Sequence, residues 1–229
     1  SSSQAGSDYT HLLEDDKVGQ VRSKLTDGVW SVSAALIAGR HFIGGVGIQN
    51  AALAIGGSDG SVNATTTVTE EFNGTTWTEL NDNTRGNNNS GATGTTYAAV
   101  SFGGNAAPQG GASKWNGVNW SATEDLSNPA YSKTIAAGTQ NAAIVFGHTC
   151  NPTSEQNATE HFNGTNYSAG GALITDHDNY GHGDGLQNAA LIVNGTGATQ
   201  EYNGSTWSAA TTRGDTNKYD PVVRGTQNN

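Results

Sequence analysis

The stretch QNAALIVNGTGATQEYNGSTW, residues 187–207, is the clearest copy of a unit that recurs along this chain. Its first part is a short apolar run, which is typical of a buried strand when turn residues bound it. Its second part places an Asn-Gly pair between Tyr202 and Trp207. Asn-Gly between β-forming residues indicates a hairpin with a type I′ turn, which requires positive φ at both central residues. The unit therefore predicts strand, glycine turn, strand, Asn-Gly turn, strand.

The unit repeats at a nearly constant period. Its small-residue motif begins at positions 47, 94, 138 and 185, and a partial fifth copy begins at 225. Consecutive copies are therefore separated by 47, 44, 47 and 40 residues. The aromatic hairpin recurs with the motif, at Phe72 to Trp77, Trp115 to Trp120, Phe162 to Tyr167 and Tyr202 to Trp207. Strand-only repeats of roughly 40–50 residues have the size of β-propeller blades, so the sequence predicts an all-β propeller.

We expect a single propeller domain over residues 18–229, after a polar N-terminal arm at 1–17 that is either mobile or docked on a neighbour. Residues 18–35 match the outer half of a repeat and residues 213–229 its beginning. Together they predict a composite fifth blade that closes the ring and protects edge strands, with the missing inner strand coming from beyond Asn229 or from a neighbouring chain. The four full blades are expected at about 39–80, 85–123, 130–170 and 179–210.

The acidic composition of the chain argues against two classes of binding partner. The chain has 229 residues and a formal net charge of −10. Nucleic acids and anionic membrane surfaces select Lys and Arg, so we expect neither as a partner. No apolar run reaches the length of about 20 residues that a membrane-spanning helix needs. Cys150 is the only cysteine and permits no internal disulfide. Because the chain lacks methionine and stops inside a repeat, we expect it to belong to a longer product.

Each repeat begins with glycine and alanine and ends with aromatic residues. Strands converge toward the axis of a propeller, so we expect the small-residue strands at the axis or next to it. The aromatic side chains bury roughly 150–250 Å² each and are expected to fill the space between blades. This interpretation accounts for all five tryptophans, which stand at hairpin positions: Trp30, Trp77, Trp115, Trp120 and Trp207.

Tyrosines outside the repeat pattern are the candidates for a binding role, since propeller lectins stack aromatic rings on sugars. The off-pattern tyrosines are Tyr97, Tyr131, Tyr180 and Tyr219. We predict Tyr131, Tyr180 and Tyr219 as binding residues. A structural role is the alternative for each of them.

One segment has the residue types of a metal site. The sequence DHDNYGHGD, residues 176–184, has alternating aspartates at Asp176 and Asp178, a following glycine, and Asp184 at its end. This pattern is similar to a calcium loop built from several oxygen ligands around a tight turn. Gln187 stands where such a loop has its bidentate glutamate. We predict these three aspartates as the candidate Ca²⁺ ligands, and a solvated acidic connection without metal is the alternative. His177 and His182 are the candidates for a transition metal.

The order of strand, glycine doublet, strand, aromatic and tryptophan resembles the kelch repeat of β-propellers. The doublets are clearest at positions 56–57 and 103–104, and they are incomplete in the third and fourth copies. The combination GTQNAA, FGG and EEFNGTTW also resembles kelch-like repeats in virion structural proteins, including tail fibres, of marine bacteriophages. The resemblance covers roughly residues 17–229.

The phage resemblance implies a virion structural or adhesion module that contacts other virion proteins, its own copies or a host-surface glycan. The alternative is an extracellular, secreted bacterial propeller that binds glycans. Among kelch-type propellers, enzymes similar to galactose oxidase bind copper through Tyr and His and carry a Cys–Tyr crosslink. Here Cys150, close to His148, is the only thiol, and no Tyr and His set matches residue by residue. We therefore expect no catalysis and no resident cofactor.

Overall fold

The computed structural model describes residues 32–61, 64–104, 110–127, 133–147, 157–175, 181–194 and 197–211. These ranges contain β-strands and no helix, and so no helix long and apolar enough to cross a membrane. All strands belong to one compact unit, Ala34–Asn229. In chain order the strands are β1 (Gly44–Ile48), β2 (Ala51–Ile55), β3 (Thr69–Phe72), β4 (Trp77–Glu79), β5 (Gly91–Thr95), β6 (Ala98–Phe102), β7 (Ala112–Trp115), β8 (Trp120–Thr123), β9 (Ile135–Thr139), β10 (Ala142–Phe146), β11 (Thr159–Phe162), β12 (Tyr167–Ala169), β13 (His182–Leu186), β14 (Ala189–Val193), β15 (Thr199–Tyr202) and β16 (Trp207–Ala209).

The strands form four separate four-stranded sheets. Each sheet contains four consecutive strands, which lie side by side in the order in which they follow one another along the chain. Every neighbouring pair is antiparallel, so each sheet is a meander. We number them sheet 1 (β1–β4), sheet 2 (β5–β8), sheet 3 (β9–β12) and sheet 4 (β13–β16). The predicted four-stranded antiparallel repeats are thereby confirmed, in an all-β, propeller-like arrangement.

The first strands of successive sheets pack on one another: β1 on β5, β5 on β9, and β9 on β13. Glycine permits this approach, because a Cβ on Gly44 would lie 3.2 Å from Ser90 Oγ and one on Gly91 would lie 2.7 Å from Thr134 O. The alanine-rich strands β2, β6, β10 and β14 come next in each sheet. The small-residue strands therefore lie at the inner side of the sheets, as predicted.

Aromatic side chains fill the space between sheets. Within sheet 4, for example, the Tyr202 and Trp207 rings are 4.9 Å apart, and Trp207 also packs on Phe146 of sheet 3 at 5.0 Å. Phe102 of sheet 2 packs edge-on against Phe162 of sheet 3, with ring centroids 5.5 Å apart. The aromatic hairpins of sheets 2, 3 and 4 thus lie on the second strand of the preceding sheet, as predicted for the aromatics.

The turn type predicted for the Asn-Gly pairs is wrong. Phe72 pairs with Trp77, so the loop has four residues, 73–76, rather than the two of a type I′ hairpin. Within this loop only Gly74 has positive φ, at 93°. The Asn73 side chain explains the difference, because its Oδ1 accepts hydrogen bonds from Thr75 N (3.0 Å) and Thr76 N (2.9 Å). A side-chain oxygen that satisfies two loop amides stabilises the longer loop.

The packing between the first strands of neighbouring sheets begins with sheet 1 and ends with sheet 4. Among the described strands, no comparable packing joins β13 to β1, so the four sheets do not close into a ring. The predicted arm at 1–17 lies outside the described residues. So does the predicted composite blade of 18–35 and 213–229, apart from positions 32–35.

Candidate binding edge

In every sheet the turn between the first and second strands and the loop between the third and fourth strands lie at the same end. In sheet 1 the Asn-Gly loop lies beside the first turn, since a Cβ on Gly74 would be 3.4 Å from Asn50 Cβ. The first strands also run side by side in the same direction, as the contacts of Gly44 with Ser90 and of Gly91 with Thr134 show. Gln187, in the first turn of sheet 4, likewise contacts Phe162 O at the start of the Asn-Gly loop of sheet 3. The Asn-Gly loops of all four sheets therefore lie on one side, as predicted. We call this side the tip edge; it consists of the turns at 49–50, 96–97, 140–141 and 187–188 and the loops at 73–76, 116–119, 163–166 and 203–206.

Hydrogen bonds between sheets hold the tip edge together. Gln140 Nε2 donates to Ala99 O (2.9 Å) and Trp115 O (2.5 Å) of the preceding sheet. Lys114 Nζ donates to Asn141 Oδ1 at 2.8 Å and to Gly164 O at 3.0 Å in the following sheet. Contacts in both directions fix the relative positions of neighbouring turns, so the tip edge is a preorganised surface.

Four large apolar side chains on this edge face solvent. They are Ile48 (74% exposed), Tyr97 (74%), Val118 (62%) and Leu186 (51%). Tyr97 occupies the second turn position, where the other three copies have asparagine. The turn itself therefore does not require an aromatic ring here. Exposed large apolar side chains on one side of a fold suit an interaction surface.

The sequence prediction considered Tyr97 and did not select it. Tyr97 is distinguished by its position in the repeat, because the other three copies have asparagine at the same turn position: Asn50, Asn141 and Asn188. Its ring lies over the neighbouring loop, with Tyr97 Cδ1 3.8 Å from the position of a Cβ on Gly117. The Asn81 amide orders that loop by donating to Val118 O at 3.0 Å.

The residues predicted as sites fall almost entirely outside the described part of the chain. Tyr131, Tyr180 and Tyr219 lie there, as do Asp176 and Asp178. The predicted tyrosine and Ca²⁺ sites therefore stay predictions.

Asp184 is described, half-buried on β13, and its Oδ1 accepts a hydrogen bond from Gly185 N at 2.8 Å. Within the ranges that the structure describes, no group of three or more His, Cys, Asp or Glu side chains is placed to hold a metal ion.

One ion pair is buried inside sheet 1. The Arg40 guanidinium contacts the Glu70 carboxylate, and their side chains are 1% and 0% exposed. Glu70 also accepts hydrogen bonds from Ile37 N (2.8 Å) and Ala38 N (3.3 Å). Burial acts to raise the pKa of Glu70, but these hydrogen bonds and the Arg40 charge together hold that pKa below its usual value. The pair anchors the segment that leads into β1, which is a structural task.

A histidine and a tyrosine meet between sheets 3 and 4. His161 Nε2 and the Tyr202 hydroxyl are 2.7 Å apart, and Tyr202 is 1% exposed. Burial lowers the pKa of His161 and raises the pKa of Tyr202, so both groups are held in their neutral forms. A neutral pair between packed sheets acts as an interior hydrogen bond.

Comparison with known proteins gives no assignment: no protein-family model matches the chain, and no curated protein matches it.

Proposed function

We propose that this chain is a non-enzymatic, kelch-like propeller module of a bacteriophage particle, a virion structural or adhesion protein such as a tail fibre. Its partners are other virion proteins, its own copies or a host-surface glycan. The observation that carries the proposal is the tip edge, where four exposed apolar side chains lie in the turns or directly before them, and where inter-sheet hydrogen bonds of Gln140 and Gln187 hold the turns of sheets 3 and 4. Such a surface suits non-catalytic binding to another protein.

The packing of the tryptophans supports a surface role over a pocket between the sheets. Trp120 Nε1 donates to Thr69 Oγ1 of sheet 1 at 3.0 Å, and Trp207 Nε1 donates to Thr159 Oγ1 of sheet 3 at 3.1 Å. Both rings are buried and hydrogen-bonded to the preceding sheet. Because these tryptophans form the interfaces between sheets, a binding surface has to be built from other residues, and the tip edge has them.

We further propose a ring of five blades, in which residues 18–35 and 213–229 form the composite fifth. Gln187 of sheet 4 donates to Ala143 O (2.9 Å) and Phe162 O (3.0 Å) of sheet 3. The carbonyl groups of Ala190 and Tyr202 occupy the same register in sheet 4. The fifth copy of the sequence motif supplies Gln227 at the register of Gln187, which supports continuation of the series by one more sheet.

The test of the particle role is immunogold labelling of a culture that produces the chain, with an antibody against the purified protein. The proposal expects label on intact virions. Label confined to protein shed by bacterial cells would contradict it and favour the alternative, a secreted glycan-binding propeller.

A variant set tests the tip edge separately. Tyr97→Asn and Ile48→Thr introduce residues that other copies already have at these positions, so the fold should be retained. We expect the double variant to lose association with partner proteins or with its own copies, measured by analytical ultracentrifugation and pull-down from disrupted virions. Ile37→Thr, an exposed residue ahead of β1, is the matched control and should associate normally. Unchanged association of the double variant would remove the tip edge from the proposal.

A further inference from the structure

The turns and loops of the tip edge contain no charged residue. Four turns of two residues and four loops of four residues make 24 residues, and none of them is Asp, Glu, Lys, Arg or His. The whole chain has 20 acidic and 10 basic residues and a net charge of −10. Lys114 Nζ reaches the edge from β7, but it directs two of its three donors at Asn141 Oδ1 (2.8 Å) and Gly164 O (3.0 Å) within the edge. The tip edge is therefore a neutral surface on an acidic chain.

Charged residues lie at the end of the sheets opposite the tip edge. The linkers from the second to the third strand, and from one sheet to the next, lie at that end, because the turns of the tip edge join the other strand pairs. Four of the six charged residues in the described parts of these linkers are acidic: Asp59, Asp82, Arg85, Glu124, Asp125 and Lys133. Two copies that met through this end would bring like charges together, which disfavours binding. Two copies that met through their tip edges would not.

The exposed groups of the tip edge can pair with copies of themselves. Beside the four apolar side chains it exposes carboxamides, at Gln49, Asn50, Asn141, Asn166 and Asn188. A carboxamide has both donors and an acceptor, so it can bond to another carboxamide. A two-fold symmetric dimer needs this property, because the same patch occurs on both subunits. The centre of a protein interface is also poor in charged residues and rich in tyrosine, which here is Tyr97.

The size and rigidity of the tip edge also suit a protein partner. Each partner in a specific interface of standard size contributes roughly 20–30 residues, and the tip edge has 24. Its four loops share one ordering device, since the asparagine that begins each loop accepts hydrogen bonds from two amides of the same loop, at 2.8–3.0 Å. Loops that are ordered in advance lose little conformational freedom on association.

We propose that the tip edge binds the tip edge of a second copy of this chain, in a two-fold symmetric dimer. This inference names the partner of the surface described under the proposed function, and it rests on that function only for its setting in a particle. Its tests use the purified chain. A monomeric chain would leave the particle role to the immunogold experiment, and absence of the chain from virions would leave the dimer standing.

Sedimentation equilibrium of the purified wild-type chain at low and high NaCl tests the dimer. We expect a reversible monomer–dimer equilibrium whose dissociation constant falls severalfold as NaCl rises from about 0.05 M to about 0.5 M. Salt screens the repulsion between two chains of charge −10 and leaves the uncharged contact in place. A chain that stays monomeric throughout the micromolar range would overturn the proposal. A dimer that weakens with salt would also overturn it, because charged groups would then hold the dimer together.

Charges placed on the edge locate the contact. Thr75 and Thr165 are exposed at one position of the Asn-Gly loop, where the other two copies have Val118 and Ser205, so the loop accommodates different side chains there. Thr75→Glu with Thr165→Glu should dimerise at least about tenfold more weakly, and so should Thr75→Lys with Thr165→Lys, because like charges then meet. An equimolar mixture of the acidic and basic variants should associate again. A mixture that stays monomeric would contradict contact of the edge with itself.

The matched control is Ala122→Glu with Ala209→Glu. Both alanines are exposed third residues of a fourth strand, a position at which sheet 1 already has Glu79. The control adds the same two charges away from the tip edge and should dimerise like the wild type, and thermal melting checks that every variant is folded. Equal weakening by the control would place the contact elsewhere. A monomeric wild type whose pull-down from disrupted virions depends on Tyr97 would identify another virion protein as the partner and overturn the proposal.

Discussion

The side-chain amide of Gln187 donates a hydrogen bond to the carbonyl oxygen of Phe162, 3.0 Å away in the preceding sheet. Gln140 makes the equivalent contact to Trp115 one sheet earlier. A single residue at the first turn of the repeat therefore ties sheet 3 to sheet 2 and sheet 4 to sheet 3, whereas sheet 2 has Thr96 at this position. Its second acceptor, Ala143 O for Gln187, lies on the neighbouring strand, so one amide group bridges two strands of the preceding sheet.

We expect Gln187→Ala to lower the free energy of unfolding by about 1–2 kcal/mol, since two carbonyl groups lose their partner at a packed interface. Chemical denaturation measures the change. Thr165→Ala, on an exposed loop of sheet 3, is the control and should stay near the wild-type midpoint. An unchanged midpoint for Gln187→Ala would mean that the contact contributes nothing net to stability.

Gly47→Ala should be strongly destabilising, by about 2 kcal/mol or more. Gly47 has φ 116°, and a Cβ there would lie 2.2 Å from Ala51 O, a backbone atom that cannot move aside. Gly45→Ala, in the same strand, has its nearest contact at 3.8 Å and serves as the matched control. Thermal unfolding of the two variants should separate them clearly, and equal melting temperatures would contradict the left-handed geometry of Gly47.

The buried ion pair makes a prediction about acid. The pKa of Glu70 in the folded chain lies below its ordinary value of 4.5, so the carboxylate stabilises the fold above that pH. This contribution is lost as the pH falls through the lower, folded pKa. Glu70→Gln should cost about 3 kcal/mol at neutral pH, because Arg40 is left buried without its counter-charge, and should flatten the acid limb of stability against pH. Glu71→Gln is the control; a curve for Glu70→Gln that parallels the wild type below pH 4.5 would refute the assignment.

Tyr167→Phe should keep or raise stability, by up to about 1 kcal/mol. Sheets 2 and 4 have a tryptophan at this position that donates to Thr69 or Thr159, but sheet 2 offers sheet 3 only Ala112 at the register of those threonines. The Tyr167 hydroxyl is buried and has no hydrogen-bond partner among the described residues. Removing an unpaired buried hydroxyl removes its desolvation cost.

The matched control for Tyr167→Phe is Tyr202→Phe, which deletes a hydroxyl bonded to His161 at 2.7 Å. We expect this variant to lose about 1 kcal/mol. Differential scanning calorimetry compares the two, and a larger loss for Tyr167→Phe than for Tyr202→Phe would show that the Tyr167 hydroxyl has a partner after all.

The repeat made the meander and the interfaces predictable. Small residues fit where neighbouring sheets approach closely, and aromatic residues fit where the sheets are farther apart. Accordingly, β1 packs directly on β5, and Trp207 fills the space against Phe146 of the preceding sheet. Turn type was not predictable from the Asn-Gly pair alone. The I′ rule concerns backbone conformation, whereas the Asn73 side chain accepts two loop amides and selects a four-residue loop.

The candidate surfaces were harder to predict, because they depend on departures from the repeat. Tyr97 is informative only once its register with Asn50 and Asn141 is known. The left-handed backbone of Phe42 and Lys133 has no sequence signature, since neither residue type favours it. A residue whose backbone conformation differs from the one its residue type prefers can be identified only from the three-dimensional structure.

The glutamine contact also gives the series of sheets a direction. At the junctions of sheet 2 with sheet 3 and of sheet 3 with sheet 4, the glutamine of the later sheet is the donor and the backbone of the earlier sheet is the acceptor. A copy of the unit that carries the glutamine brings its own donor, and the sheet before it supplies the two backbone acceptors. Sheets added as whole copies of the unit would therefore meet their neighbours through the glutamine contact that sheets 3 and 4 already make.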